Sequence, residues 1–158
     1  MRTVARRLAE AIGTGFYSGY FPVAPGTVGS AVGVAIYVLL LRLRVLSPSG
    51  LDGWLMLTAV VLAVGWASAW HLERRFGRDD KHIVVDEIWG MLVAIALLPA
   101  SARYVVGGFL LFRFFDIVKP FPARRAERVG QGLGVMLDDG IAGIYANLVL
   151  HLAQALLR

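Results

Sequence analysis

The stretch VMLDDGIAGIYANLVLHLAQALL, residues 135–157, decides how this chain folds. Two adjacent acids, Asp138 and Asp139, lie near its start. The rest of the stretch is a mainly apolar run that contains no further Asp, Glu, Lys or Arg. Its length matches the roughly 17–25 residues with which a helix crosses a bilayer. Gly and Ala within the run are typical of a membrane helix that packs closely against other helices.

Upstream of this stretch, further apolar segments have the same helical character: residues 27–46, 53–72, 83–98 and 102–118. Pro99 ends the third segment of the chain and Pro120 follows the fourth, while no alternating strand pattern competes. The sequence therefore predicts an all-α fold, a polytopic membrane helical bundle of about five hydrophobic helices. We expect a single domain over residues 1–158.

The composition agrees with a lipid-facing surface. Apolar residues make up 58% of the chain, charged residues 17%, and the mean hydropathy is +0.67. Soluble domains are nearer 45–50% apolar and about 25% charged. We attribute the net charge of +5 to Lys and Arg residues that flank membrane helices. We therefore expect no nucleic-acid partner.

The N-terminal segment, residues 1–12, is amphipathic. Val4, Leu8 and Ile12 recur every four residues, with arginines between them. This spacing predicts a short helix that lies on an anionic membrane surface. An ordinary helix packed on its own protein fits the same pattern.

Charge asymmetry gives the orientation. Five crossings divide the connecting segments between two sides of the membrane. The first side holds the N-terminus and loops 73–82 and 119–134. The second side holds loops 42–53 and 99–103 and the C-terminus. Twelve of the 16 Lys and Arg belong to the first side, which the positive-inside rule makes cytoplasmic. Of the eleven Asp and Glu, only Asp52 belongs to the second side.

Five acids converge on the cytoplasmic side. Asp86 and Glu87 begin the third segment, Asp116 lies near the end of the fourth, and Asp138 and Asp139 lie in the first turn of the fifth. Alternating helix directions bring these positions to one membrane face. Because clustered carboxylates repel, a divalent cation is expected there, and all-oxygen ligands without any Cys favour Mg²⁺ or Mn²⁺ over zinc.

Helix capping is the alternative interpretation of these acids. A carboxylate at a helix N-terminus is favoured by the dipole, which would account for Asp86 or Asp138 alone. It does not account for Asp116, which lies at a C-terminal helix end. His82, four residues before Asp86, is within reach of the same site, with a packing role as its alternative.

The start of the first segment is a candidate phosphate site. Pro25 before Gly26 and Thr27 is typical of a turn that leads into a helix. Free backbone N–H groups there, with the hydroxyl of Thr27 or Ser30, are suited to an anion.

Arg113 and Lys119 flank Asp116 at three residues on either side and are candidate phosphate ligands. Charge neutralisation of Asp116, or contact with lipid headgroups, is the alternative role. The remaining arginines of this side are interpreted as membrane-surface and topology charges: Arg74, Arg75, Arg78, Arg124, Arg125 and Arg128.

Four blocks in order, PGTVGS at 25–30, VDEIWGM at 85–91, FRFFDIVKP at 112–120 and GLGVMLDD at 132–139, resemble the phosphatidylglycerophosphatase A family. The resemblance covers nearly the whole chain. Val85 stands where Trp is frequent in the family, and Gly140 where a larger apolar residue is common. Neither departure changes a charged group.

The resemblance implies Mg²⁺-dependent dephosphorylation of phosphatidylglycerol phosphate to phosphatidylglycerol at the cytoplasmic face of the inner membrane. It also implies that the five acids named above belong to the active site. A small divalent-cation transporter, a CDP-alcohol phosphotransferase and a non-catalytic membrane subunit are the alternatives. The sequence does not decide the oligomeric state.

Overall fold

Helices account for most of the chain in the computed structural model, which describes residues 2–78 and 80–157. They are α1 Arg2–Gly13, α2 Pro25–Arg42, α3 Leu51–Phe76, α4 Val85–Ala94, α5 Ala102–Val118, α6 Ala123–Ala126 and α7 Leu133–Leu156. A 3₁₀ turn, Ser18–Tyr20, lies between α1 and α2. No strand occurs in the described residues, so the all-α prediction is confirmed.

The five predicted apolar segments correspond to α2, α3, α4, α5 and α7. Three of these helices, α2, α3 and α7, are long and apolar enough to cross a membrane. The third predicted segment is shorter than expected, because the helix ends at Ala94 and Leu97 takes a left-handed conformation with φ 59°. Its 10 residues rise about 15 Å, roughly half of a bilayer's hydrocarbon core.

The short helix α4 is the centre of the bundle. It packs against α2, α3, α5 and α7, and 8 of its 10 residues are buried. Met91 and Leu92 are fully buried, and Phe112 of α5 lies in the same apolar cluster. Protein therefore surrounds α4, and the non-helical backbone after it is partly covered, with Leu98 buried and Leu97 36% exposed.

Glycines set the close approach of α4 to α7. A Cβ on Gly143 would overlap the carbonyl oxygen of Gly90, and a Cβ on Gly90 would lie 2.8 Å from that of Asp139. Gly140 lies in the same way against the ring of Trp89. Small residues at these positions allow the two backbones to approach, so the acids that they carry can meet.

The N-terminal helix α1 packs on its own protein at one end and leaves apolar side chains exposed at the other. Its C-terminal end packs on α3, where Gly13 lies against Leu72 and Glu10 forms a 2.7 Å ion pair with Arg75. Its N-terminal half leaves Val4 and Leu8 more than half exposed. This half retains the apolar face expected for contact with a membrane surface.

Candidate active site

The N-termini of α2, α4 and α7 and the C-terminus of α5 meet at one end of the bundle. Asp86 and Glu87 lie in the first turn of α4, and Asp139 faces them from α7. One carboxylate oxygen from each of these three residues lies within 4.8 Å of the other two. Asp86 and Asp139 are 7% and 4% exposed. Three acids this close and this buried repel one another, and a cation between them offsets that cost.

Asp116 approaches the same cluster from α5. Its carboxylate is close enough to interact with the carboxylates of Asp139 and Glu87. One turn earlier on α5, Arg113 places its Nη1 2.7 Å from Asp116 Oδ2. The guanidinium thus lies between the acid cluster and the start of α2.

Asp138, the neighbour of Asp139, is held by a cation. Lys119 Nζ donates a 2.6 Å hydrogen bond to Asp138 Oδ2 and lies 3.3 Å from Glu127. Burial alone would lower the pKa of Lys119, but the hydrogen bond and charge of Asp138, together with Glu127, raise it above its usual value. Lys119 therefore carries its positive charge at neutral pH.

Gly26 closes the site from the side of α2. A Cβ at this position would overlap Glu87 Oε1 and lie 3.2 Å from Arg113 Nη1. Only a glycine allows the helix start to come this near to both groups. No side chain caps the N-terminus of α2, so its positive end faces the acids.

The site holds two kinds of buried atoms without a hydrogen-bond partner among the described residues. The acceptors are Glu87 Oε2, Asp138 Oδ1 and Asp139 Oδ2, and the donor is Arg113 Nε, whereas Arg113 Nη1 already pairs with Asp116. Unsatisfied buried polar atoms are rare in native proteins and call for a ligand. The acceptors fit a cation, and the oxygen-only ligand set fits Mg²⁺. The guanidinium donor fits an anion.

A profile described as phosphatidylglycerophosphatase A matches residues 11–154. The chain belongs to this family. It is 38% identical to phosphatidylglycerophosphatase A of Haemophilus influenzae, covering 90% of this chain and 86% of that one. It is 32% identical to phosphatidylglycerophosphatase A of Escherichia coli, with the match covering 89% of this chain and 80% of that one. A Bacteroides thetaiotaomicron protein named putative phosphatidylinositol-3-phosphatase is 39% identical, with coverages of 90% and 91%. No solved structure matches.

Membership of the phosphatidylglycerophosphatase A family makes this chain an enzyme, a phosphatase, and sets the transporter and the non-catalytic subunit aside. With three apolar helices and bacterial relatives of this family, it is a membrane protein. The four blocks that resemble the family lie at the start of α2, the start of α4, the end of α5 and the start of α7. All four therefore lie at the end of the bundle that holds the acid cluster.

Three expectations about individual residues change. The helix α7 begins at Leu133, so Asp138 and Asp139 lie in its second turn, where helix capping does not account for them. The Ser30 hydroxyl donates to the Gly26 carbonyl at 2.9 Å and is already used within α2. The side chain of His82, for which the sequence leaves contact with the site and packing both open, instead lies with its Nδ1 2.5 Å from Asp80 Oδ1.

Two features of the site have no signal in the spacing of the sequence. Glu127, which contacts Lys119, follows it by eight residues across a loop, and no periodicity relates them. Gly90 is one of 18 glycines, and only its contact with Phe112 and with the backbone of Asp139 distinguishes it. Thr27 lies half-buried beside Gly26, and the described contacts give its hydroxyl no partner.

Proposed function

We propose that the protein hydrolyses phosphatidylglycerol phosphate to phosphatidylglycerol and phosphate with Mg²⁺, at the cytoplasmic face of the inner membrane. One observation carries the proposal: buried carboxylate oxygens and one buried guanidinium nitrogen, Arg113 Nε, lack partners at the same place. A bound cation together with a phosphate monoester satisfies both sets. The family supports the lipid substrate.

Asp86, Glu87 and Asp139 are proposed to hold the ion, because their oxygens already lie within 4.8 Å of one another. Asp116 and Asp138 complete the acidic lining and hold either a second ion or ordered water. When bound, Mg²⁺ supplies charge neutralisation at the phosphoryl oxygens and a more acidic water.

Arg113, Lys119 and the amides of Gly26 and Thr27 are proposed to hold the terminal phosphate. Arg113 offers its buried Nε, and Lys119 keeps its charge against Asp138. The first N–H groups of a helix, with the positive end of its dipole, favour an anion. These donors stabilise the charge that develops on the equatorial oxygens during transfer.

The reaction is hydrolysis of a phosphate monoester. Water attacks the phosphorus, the bond to the lipid oxygen breaks, and the water proton ends on the released alcohol. Glu87 or Asp139 is proposed to orient this water. An aspartyl-phosphate intermediate is the alternative, and trapping a phosphorylated Asp after rapid quenching distinguishes the two routes.

The distribution of charge supports the proposed cytoplasmic orientation. The end of the bundle with the acid cluster also carries twelve of the 16 Lys and Arg, which the positive-inside rule assigns to the cytoplasm. The lipid tails stay in the bilayer while the headgroup enters between helices, so no deep water-filled pocket is needed.

The first test is phosphate release from phosphatidylglycerol phosphate in detergent micelles. Wild type should need Mg²⁺, and Asp116→Asn should lose at least about a hundredfold in rate. Asp52→Asn is the matched control, because Asp52 is exposed in the first turn of α3 at the opposite end. No release by folded wild type with Mg²⁺ would disprove the substrate assignment.

Phosphatidylinositol 3-phosphate belongs in the same assay, since one relative is named for it.

A further inference from the structure

Beside the acid cluster, the loop after α5 forms a basic pocket of about 490 Å³. Four cations line it, Lys119, Arg124, Arg125 and Arg128, together with the apolar side chains of Val118 and Phe121. Ligand pockets usually measure about 300–1,000 Å³, so the space suits a lipid headgroup.

The cations of this pocket outnumber the nearby acids. Glu127 lies close to Lys119, and within the described residues no carboxylate comes within 4.0 Å of Arg124, Arg125 or Arg128. Like charges gathered on one short stretch repel one another, so an anionic ligand would stabilise the pocket. Arginine suits phosphate in particular, because its planar fork can donate two hydrogen bonds to the oxygens.

The loop that carries these arginines is held in place. Tyr145 of α7 donates a 2.7 Å hydrogen bond to the Phe121 carbonyl, and Arg78 donates one of 2.6 Å to the Glu127 carbonyl. Ala123, the first residue of α6, is fully buried. The Arg125 guanidinium lies 4.9 Å from the centre of the Phe121 ring, which restricts its side chain. The backbone around the pocket is thus preorganised, while the side chains of Arg124, Arg125 and Arg128 are exposed.

An apolar stripe on α5 leads to the same pocket. Phe114, Ile117 and Val118 are spaced by three and four residues and are exposed, Ile117 by 73%. Phe121 continues the stripe at the mouth of the pocket. In a bilayer this face contacts acyl chains, so a lipid that follows the stripe brings its phosphate to the arginines.

Lys119 connects this pocket to the acid cluster. Its ammonium contacts Asp138 while the same side chain lines the basic pocket. We propose that Arg124, Arg125 and Arg128 bind the phosphodiester of a glycerophospholipid whose terminal phosphate monoester lies at the acid cluster. The inference rests on the proposed function and divides one substrate between two adjoining subsites.

The test is the triple variant Arg124→Gln/Arg125→Gln/Arg128→Gln. Its KM for phosphatidylglycerol phosphate should rise by at least about tenfold, because charge-assisted bonds to the diester are lost, while kcat falls less. The matched control, Arg6→Gln/Arg7→Gln/Arg74→Gln, removes the same charge from exposed residues at the same end of the bundle. Its KM should change less than threefold. If the KM rose equally in both variants, the effect would come from general surface charge, and the inference would be overturned.

A binding measurement separates this inference from the proposed function. Phosphatidylglycerol carries the diester without the terminal phosphate, so its affinity in neutral-detergent micelles needs no turnover. Wild type and the control variant should bind it alike, and the arginine variant at least about tenfold more weakly. If wild type releases phosphate but all three proteins bind phosphatidylglycerol equally, the pocket is wrong and the function stands. If wild type releases none while only the arginine variant loses binding, the function is wrong and the pocket stands.

Discussion

Lys119 Nζ lies 2.6 Å from Asp138 Oδ2, so the residue that caps α5 neutralises a carboxylate buried in the second turn of α7. Asp138 is 4% exposed, and a buried charge without a partner is costly. The same ammonium adjoins both the acid cluster and the basic pocket. The positive charge of Lys119 therefore has two opposite effects: it weakens the proposed binding of a metal ion and strengthens the proposed binding of phosphate.

Replacing Lys119 separates these two effects. Lys119→Gln removes a cation beside the carboxylates, so Mg²⁺ should bind about three- to tenfold more tightly in the absence of substrate. The same change removes a phosphate ligand, so the KM for phosphatidylglycerol phosphate should rise. Metal titration of the unfolding midpoint and steady-state kinetics measure the two effects. Lys119→Arg keeps the charge and should preserve metal affinity. Weaker Mg²⁺ binding in the Gln variant would contradict the proposed opposition.

The acid trio has a signature in stability that does not depend on activity. With a chelator present, Asp139→Asn should raise the unfolding midpoint, because it relieves repulsion among the buried carboxylates. Added Mg²⁺ should then stabilise wild type but not the variant. Asp52→Asn, at the far end of the bundle, should leave both midpoints as in wild type. A variant that is still stabilised by Mg²⁺ to the wild-type extent would exclude Asp139 from the ligands.

Much of this arrangement can be predicted from the sequence because apolar runs and prolines mark the helices. Alternating helix directions then bring the acids of α4, α5 and α7 to one end. The length of α4 could not be predicted, since Ile95 and Leu98 are as apolar and as buried as the helix before them. Only the left-handed turn at Leu97 ends the helix before Pro99.

The sequence pattern places the start of α7 two residues too late, for a tertiary reason. Gly132 takes φ 72°, donates its N–H to Glu73 Oε2 at 2.6 Å, and lies so close to Trp70 that a Cβ would overlap its backbone. This contact with α3 sets where α7 begins, and no local pattern reveals it. The basic pocket was missed for a similar reason, because it depends on how α6 packs against α7.

Gly26 should be irreplaceable for activity. Gly26→Ala introduces a Cβ that overlaps Glu87 Oε1 and crowds Arg113, so both groups must move from the site. We expect kcat/KM to fall at least about a hundredfold, since small misplacements of catalytic groups are costly. Gly53→Ala is the matched control, because its Cβ meets only Leu46 Cδ1 at an ordinary 3.5 Å in the helix α3. It should be active and at least as stable as wild type. Full activity of Gly26→Ala would contradict the close approach of α2 to the site.

The contacts that Glu10 of α1 makes with Tyr20 of the 3₁₀ turn and with Arg75 of α3 should depend on pH at both extremes. Hydrogen bonds from Tyr20 and Arg75 lower the pKa of Glu10, so this carboxylate stabilises the fold above its ordinary pKa of 4.5, and the contribution is lost as pH falls through the lowered value. The same bond from Tyr20 to Glu10 raises the pKa of Tyr20 from 10.0 to about 12, so its contribution is present below pH 10 and is lost between about 10 and 12.

Tyr20→Phe should therefore lower the unfolding midpoint at pH 7, and the difference from wild type should shrink at both ends of the pH range. Tyr17→Phe is the matched control, since the described contacts of Tyr17 with Tyr20 are between the rings. A Tyr20→Phe difference that stays constant from pH 3 to 12 would show that the hydroxyl does not hold α1 through Glu10.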